Sequence, residues 1–311
     1  MRTRTRVIAC YFGPLPSYFD LWLASAGHNA HVDWLLFTDQ QVAEAPANVT
    51  VVEESWASFA QRFTDHFDFA ISLEKPYKIC DFRPSFGDVL ADHLQGYEFW
   101  GVADLDVVFG RLDRFLTDAV LDAHDKVLIR GSFSLYRNAP EVNALYLTRL
   151  PDADYRTVFA DPGVWQFDEW RGVHRLLQGT GLRVWSDEVI FDISPVSYRT
   201  RANSAPRGFY GYVWSSGALY EVDATGGRRE GALIHLQKRP IAWRAPAVDA
   251  EGSYLIGADA IDVAPVRLPD PRRIPPARYA AALRFRGRRL RSRFTNLRAK
   301  LRRRTDRASS Q

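Results

Sequence analysis

The run YEFWGVADLDVVFG (97–110) constrains this chain more than any other segment. FWGVA is continuously apolar and ends in Asp104, with Asp106 two residues on, which reads as a buried strand closed by two acids. Residues two apart on a strand point to one face, so both carboxylates are expected to reach the same cation while Leu105 turns into the core. Two hard oxygen ligands at the carboxyl end of a buried strand suit Mg²⁺ or Mn²⁺ bridging to a diphosphate. Open α/β sheets bind their ligands at that end of the strands.

The surrounding pattern supplies such a sheet. Strands are expected at 6–12, 33–39, 48–53 and through 126–137, and helices at 15–27, 55–66, 74–94 (kinked at Pro84), 114–124, 139–150 and 167–179. Alternating strands and helices argue for an α/β protein with a largely parallel sheet. From about 181 the pattern turns to short extended pieces: YVWSSGALYEVDATGG (212–227) reads as a hairpin with a Gly-rich turn, and ALIHLQKR (232–239) as a strand. The Pro-, Ala- and Asp-rich stretch 240–276 suits a surface wrap or linker.

The 311 residues are 46% hydrophobic and 13% aromatic, which excludes a disordered chain. Two cysteines, Cys10 and Cys80, exclude a disulfide framework or a Cys-rich zinc site. The apolar run at the N-terminus is too short for a signal peptide, and no other run is long enough to span a bilayer. The expected location is the cytoplasm, peripheral on the inner face of the cell membrane.

The net charge of +4 conceals two unlike parts. Residues 271–311 hold 15 of the 41 Lys+Arg and one of the 37 Asp+Glu, so the tail carries +14 and the body −10. Leu283, Leu290, Phe294, Leu297 and Leu301 share one face of a helix with arginines over most of the rest, the pattern of a basic amphipathic helix on an anionic membrane surface. Nucleic acid is disfavoured because no aromatic-stacking platform accompanies the arginines.

Three further constellations bear on chemistry. In HLQKR (235–239), His235 is a plausible third metal ligand that favours Mn²⁺ over Ca²⁺, and Lys238 can meet a phosphate as a point charge. In KPYKICDFRPSFGD (75–88), Lys78, Asp81 and Arg83 form either a surface ion pair or a charged wall against a sugar or its diphosphate. In FDEW (167–170), Asp168 and Glu169 are placed at a helix start, serving either the helix dipole or a sugar, and Trp165 and Trp170 nearby suit a sugar face.

The ordered series YFGPLPSYFDLWLASAGHN (11–29), DWLLFTD (33–39), KPYKICDFRPSFGD (75–88), FWGVADLDVVFG (99–110), FSLYRN (133–138), FDE (167–169) and IHLQKR (234–239) resembles bacterial glycosyltransferases of the GT-A type. The closest resemblance is to a little-characterised family of polysaccharide glycosyltransferases, and a more distant one is to the retaining families 8 and 32. It covers roughly 5–240. The resemblance implies a Rossmann-like nucleotide-diphospho-sugar fold: a mixed, mostly parallel sheet flanked by helices. It implies Mn²⁺ (or Mg²⁺) held by Asp104, Asp106 and His235, with Asp104 also meeting the donor. It implies a base and ribose site at Tyr11, Phe12 and Gly13, with Asp39 beside it; Lys78, Asp81 and Arg83, read above from the residues themselves, are the expected donor wall. Lys238 would take the phosphate, and Asp168 and Glu169 would serve the donor sugar or act as base. Family 8 carries Gly and Pro-Trp beside its late His and Lys where this chain reads HLQKRPIAW, so stereochemistry stays open, with retention the favoured reading.

The expectation is therefore a catalytic domain over 1–245, a linker or wrap over 246–270 and a basic amphipathic tail over 271–311. The domain would move a sugar from a nucleotide-sugar, UDP-linked by expectation, to a glycan or lipid-linked acceptor in cell-surface polysaccharide synthesis. The rivals are a nucleotidyltransferase acting on sugar phosphates and a non-enzymatic protein binding through its tail. The first of these should carry a Gly-rich phosphate loop, whereas the loop after the first strand has only Gly13 between Phe12 and Pro14.

Overall fold

The computed structural model describes residues 3–186, 189–193, 209–223, 227–238, 240–257 and 259–265. The chain runs β1 (Thr5–Tyr11), α1 (Phe19–Gly27), β2 (Val32–Thr38), β3 (Val49–Glu53) and α2 (Trp56–His66). A string of short turns follows, in which α3 (Ile79–Phe82) and α4 (Phe86–Val89) alternate with 3₁₀ segments. Then come β4 (Phe99–Ala103), β5 (Val107–Phe109), α5 (Asp118–Ala123), β6 (Lys126–Arg130), β7 (Phe133–Arg137), α6 (Pro140–Asn143), α7 (Tyr155–Ala160) and α8 (Val173–Leu176). The rest is strand: β8 (Val184–Trp185), β9 (Ile190–Asp192), β10 (Phe209–Ser215), β11 (Ala218–Asp223), β12 (Arg228–Glu230), β13 (Leu233–His235), β14 (Ala242–Trp243), β15 (Ser253–Ile256) and β16 (Ala260–Val263).

The mixed α/β architecture expected from the sequence is present. Seven strands lie in the order β3-β2-β1-β4-β7-β6-β8. β3, β2, β1 and β4 are parallel, β7 is antiparallel to both β4 and β6, and β8 returns parallel to β6. Alternation along the strands divides the core. Val7 and Ala9 of β1 pack with Trp22 of α1 and Trp34 of β2, while Ile8 faces Phe37, Phe59, Phe63 and Trp100 on the other side. Fully burying one such large side chain contributes about 1.5–3 kcal/mol. The chain winds from β1 to β2 on one side and returns to β4 on the other, so the strand order switches between β1 and β4, the place where open α/β sheets bind their ligands.

Several helices are shorter than the sequence suggests. α1 begins at Phe19 rather than 15, because Pro14 and Pro16 hold the preceding loop out of helical conformation. The expected kinked helix over 74–94 is a chain of single turns: Pro76 opens one 3₁₀ segment and Pro84 is the second residue of another. The 167–179 helix is reduced to α8, so Asp168 and Glu169 do not start a helix. They lie in the turn that precedes it, after Gln166 at φ 60°.

The second sheet draws strands from both sides of residue 245. Its order is β12-β11-β10-β15-β16-β14, and β15 and β16 come from the stretch expected to be a linker or wrap over 246–270. A boundary at 245 would cut this sheet apart. Tyr254, Ile256 and Ile261 are buried against Tyr212 and Trp214, which gives these strands their own core. The expected hairpin is β10–β11, turning at Ser216 (φ 43°) and Gly217 (φ 82°), the left-handed pair a tight hairpin requires. The tail 271–311 lies outside the described residues. No helix among the described residues is long and apolar enough to cross a membrane.

Candidate metal centre and its surroundings

Asp104 and Asp106 lie in the turn between β4 and β5, not on the strand itself. Two backbone bonds fix this turn: Asp104 N donates to Ser132 O (2.9 Å), and Leu236 N donates to Asp106 O (2.7 Å). Trp22 Nε1 of α1 donates to Asp104 O (3.2 Å), and Leu105 is buried as expected. β13 pairs antiparallel with β5, setting His235 opposite Val107 and next to the acids. Ligand atoms of Asp104, Asp106 and His235 all fall within 4.8 Å of one another.

Asp106 is the best-buried of the three, at 8% exposure, and its two oxygens differ. Oδ2 accepts the Lys238 backbone N–H (2.5 Å) and lies 3.5 Å from His235 Nε2. Oδ1 is buried and has no hydrogen-bond partner among the described residues. An orphaned buried carboxylate oxygen is costly unless a cation answers it. With a second carboxylate and an imidazole adjoining, the donor set fits Mn²⁺ or Mg²⁺.

Burial opposes charge on His235, but the carboxylates of Asp106 and Asp192 outweigh it and push its pKa up to about 10. Burial likewise opposes charge on Asp106, and His235 with Lys238 overcomes it, holding that carboxyl below its ordinary range. Cation binding through the imidazole therefore requires loss of a proton.

Arg83 is buried at 8% exposure and joins the metal centre to the Asp168 turn. Its guanidinium donates to Asp104 Oδ1, to Asp168 Oδ2 (3.1 Å) and to Gly131 O (2.7 Å). Glu169 Oε1 accepts Gly131 N (3.0 Å). A Cβ at Gly131 would stand 2.7 Å from Asp168 Oδ2 and 3.0 Å from Glu169 Cγ, so any larger residue would displace these two side chains.

Burial dominates Asp168, and although Arg83 opposes it, nearby Glu169, Asp104 and Asp81 add to the rise, so its pKa reaches about 7. The consequence for stability has a definite sign. The folded protein holds this proton over the window from 3.8 to about 7 while the unfolded chain has lost it, so stability falls as pH rises through that window. Asp168→Asn removes the charge, so its Tm in EDTA should gain on wild type from pH 5 to about pH 7 and level off above it. Parallel Tm curves over that range would contradict this assignment.

Lys78 and Asp81 are buried and paired with each other. Lys78 Nζ donates to Asp81 Oδ2 (2.9 Å), Val158 O (2.8 Å) and Gly163 O (2.6 Å), using all three of its protons. Asp81 accepts Trp165 N (2.9 Å) and Phe167 N (2.8 Å) and is fully buried. The pair is neither a surface ion pair nor a wall against a sugar; it anchors the 163–167 loop from inside.

The expected nucleotide loop lies at the carboxyl end of β1. Asp39 Oδ1 accepts Gly13 N (2.8 Å) and Gln40 Nε2 (2.9 Å), and the Gly13 bond chiefly holds the Asp39 carboxyl below its ordinary range. Gly13 is at φ 111°, a conformation that favours glycine. Tyr11 is half-buried and donates to Pro14 O (3.1 Å); burial, with Asp106 nearby, raises its phenol. Phe12 packs its ring against Trp56 and Phe59 at 5.2 and 5.3 Å, so its side chain serves the core between β1 and α2. Lys238 is exposed, with Nζ 2.6 Å from Tyr77 Oη. Both Gln237 and Lys238 take left-handed backbone (φ 57° and 52°), which ends the strand expected to run to 239.

Sequence reasoning missed Asp192, Gln237, Tyr77 and Gly131. Asp192 closes the short apolar strand Ile190–Asp192, and an acid ending a strand was a usable signal. The others depend on pairings that cross the chain.

Fold and site together define a mixed α/β protein with a candidate divalent-cation centre at the carboxyl ends of its strands. The chain belongs to a family of unknown function, DUF6625, whose model matches residues 7–264. No curated protein matches it. Among solved structures it is similar to the galactosyltransferase LgtC in complex with donor and acceptor sugar analogs, at 10% identity and TM-score 0.38, covering 74% of this chain and 86% of that one. It is similar also to an active-site mutant of LgtC, at 11% identity and TM-score 0.39 with the same coverage.

Proposed function

We propose that this protein is a metal-dependent glycosyltransferase of the GT-A type, moving a sugar from a nucleotide-sugar, UDP-linked by preference, to a glycan or lipid-linked acceptor. The observation that carries the reading is the orphaned Asp106 Oδ1 among Asp104, Asp106 and His235, at the switch point between β1 and β4. Asp104, Asp106 and His235 would hold Mn²⁺ or Mg²⁺, which when bound supplies counter-charge to a leaving diphosphate. The loop of Tyr11 and Gly13, braced by Asp39, offers its backbone to a base and ribose. Lys238 adds a positive charge beside the same leaving group. Asp168 and Glu169 offer carboxylates to sugar hydroxyls, and the raised pKa of Asp168 suits it to exchange a proton near neutral pH.

The test is a panel of nucleotide-sugars with and without Mn²⁺. The matching donor at one hundred times its Kd should stabilise the protein by about 2.7 kcal/mol, or roughly 5–10 °C in Tm, only when Mn²⁺ is present. Release of free sugar or nucleotide diphosphate should accompany it. A protein indifferent to every donor and to Mn²⁺ is not a glycosyltransferase of this kind. The cell-surface pathway and the attachment of the tail to anionic lipid rest on the sequence alone. Co-sedimentation of the full chain with anionic vesicles, against a chain ending at 270, tests the attachment.

A further inference from the structure

We infer that Asp192 is the positioning residue of the metal centre: it binds the Nδ1–H of His235, fixes the imidazole tautomer and so presents Nε2 to the cation. The inference rests on the metal-centre reading above. β9 lies parallel to β13 with Asp192 in register with His235, and Ile193 N donates to His235 O (3.1 Å), which locks the two strands side by side. The imidazole is consequently held between two carboxylates. Nε2 faces Asp106, and Nδ1 lies 3.2 Å from Asp192 Oδ1.

A neutral imidazole carries one proton, and only the nitrogen without it can ligate a cation. Gln237 makes the choice of tautomer a real one. Its Nε2 donates to Asp192 and also comes within 3.1 Å of His235 Nδ1. Were Gln237 to donate to Nδ1, the proton would sit on Nε2 and block the metal. A carboxylate is the stronger acceptor for an imidazole N–H than an amide is a donor to imidazole nitrogen, because the bond is charge-assisted. Asp192 therefore wins Nδ1–H, and Gln237 serves to hold the Asp192 carboxylate in place. Outer carboxylates of this kind orient a ligating histidine and raise its basicity.

The experiment titrates Mn²⁺ into the full chain and reads free Mn²⁺ by electron paramagnetic resonance. Asp192→Ala should weaken Mn²⁺ binding by about 10–100-fold in a protein that still folds without metal. Asp192→Asn keeps an acceptor for Nδ1–H and should recover most of that loss. Long-range ¹H–¹⁵N spectra of the Mg²⁺-saturated protein should show His235 protonated at Nδ1. Asp192→Ala binding Mn²⁺ like wild type overturns the inference, as does His235 protonated at Nε2. Asp192→Asn as weak as Asp192→Ala also overturns it, making Asp192 itself a ligand. Failure of the wild-type protein to bind Mn²⁺ overturns the metal-centre reading as well, so the two failures are distinguishable.

Discussion

Replacing Lys78 with alanine should cost about 3–5 kcal/mol of folding stability, the usual effect of stripping one partner from a buried ion pair. Asp81 would be left fully buried with two backbone N–H donors and no counter-charge, and the carbonyls of Val158 and Gly163 would lose their donor. For a domain of this size that is a drop of roughly 10 °C in Tm. Urea midpoints of wild type, Lys78→Ala, Asp81→Ala and the double variant would give the coupling directly, and the double variant should lose much less than the sum of the singles. A ligand-binding lysine would behave oppositely, sparing Tm while weakening the response to nucleotide-sugar. That result would restore the reading of this segment as a wall of the donor site.

The contrast between this pair and the metal centre shows which parts of the site were legible. Asp104 and Asp106 stood out because a continuous apolar run must be buried, and acids ending such a run have few places to go. Even so, the strand geometry first invoked for them was not the operative one. The turn after β4 brings the carboxylates together, held by Ser132 O and Leu236 N, and those partners lie 28 and 130 residues away. His235 was legible through its Lys-containing neighbourhood. Asp192 was not, because parallel pairing of β9 with β13 leaves no local trace.

Lys78 and Asp81 were less legible. Charged residues three apart look like a surface ion pair, yet both are buried, as is Arg83 beside them, where prolines 76 and 84 break the helix into single turns. Strands β14 to β16 were hidden for a compositional reason. The prolines and acids of 240–276 resemble a linker, while the buried Tyr254, Ile256 and Ile261 that mark a sheet are too sparse to stand out.

The decisive substitution at the centre is Asp106→Asn. Asp106 does two things through different atoms: Oδ2 accepts the Lys238 backbone N–H, and Oδ1 is buried and unpartnered among the described residues. Alanine would remove both functions and would leave the strained Gln237–Lys238 turn without its tether. Asparagine keeps an oxygen for Lys238 N–H and the same shape, and removes the charge that a divalent cation requires. The metal-free Asn variant gives up the charge paired with His235 but keeps the tether, so it should still fold, with a Tm several degrees below wild type. Its Tm should no longer respond to Mn²⁺ with nucleotide-sugar. Loss of several kcal/mol of charge stabilisation corresponds to a rate of sugar transfer lower by roughly 10³-fold or more. Three measurements on one variant separate the outcomes. A variant that does not fold without metal reports on the tether. One that folds but is unresponsive to Mn²⁺ identifies Asp106 as a ligand. Wild-type transfer would remove the acid pair from the chemistry, and with it the reason the β1–β4 switch point reads as a donor site.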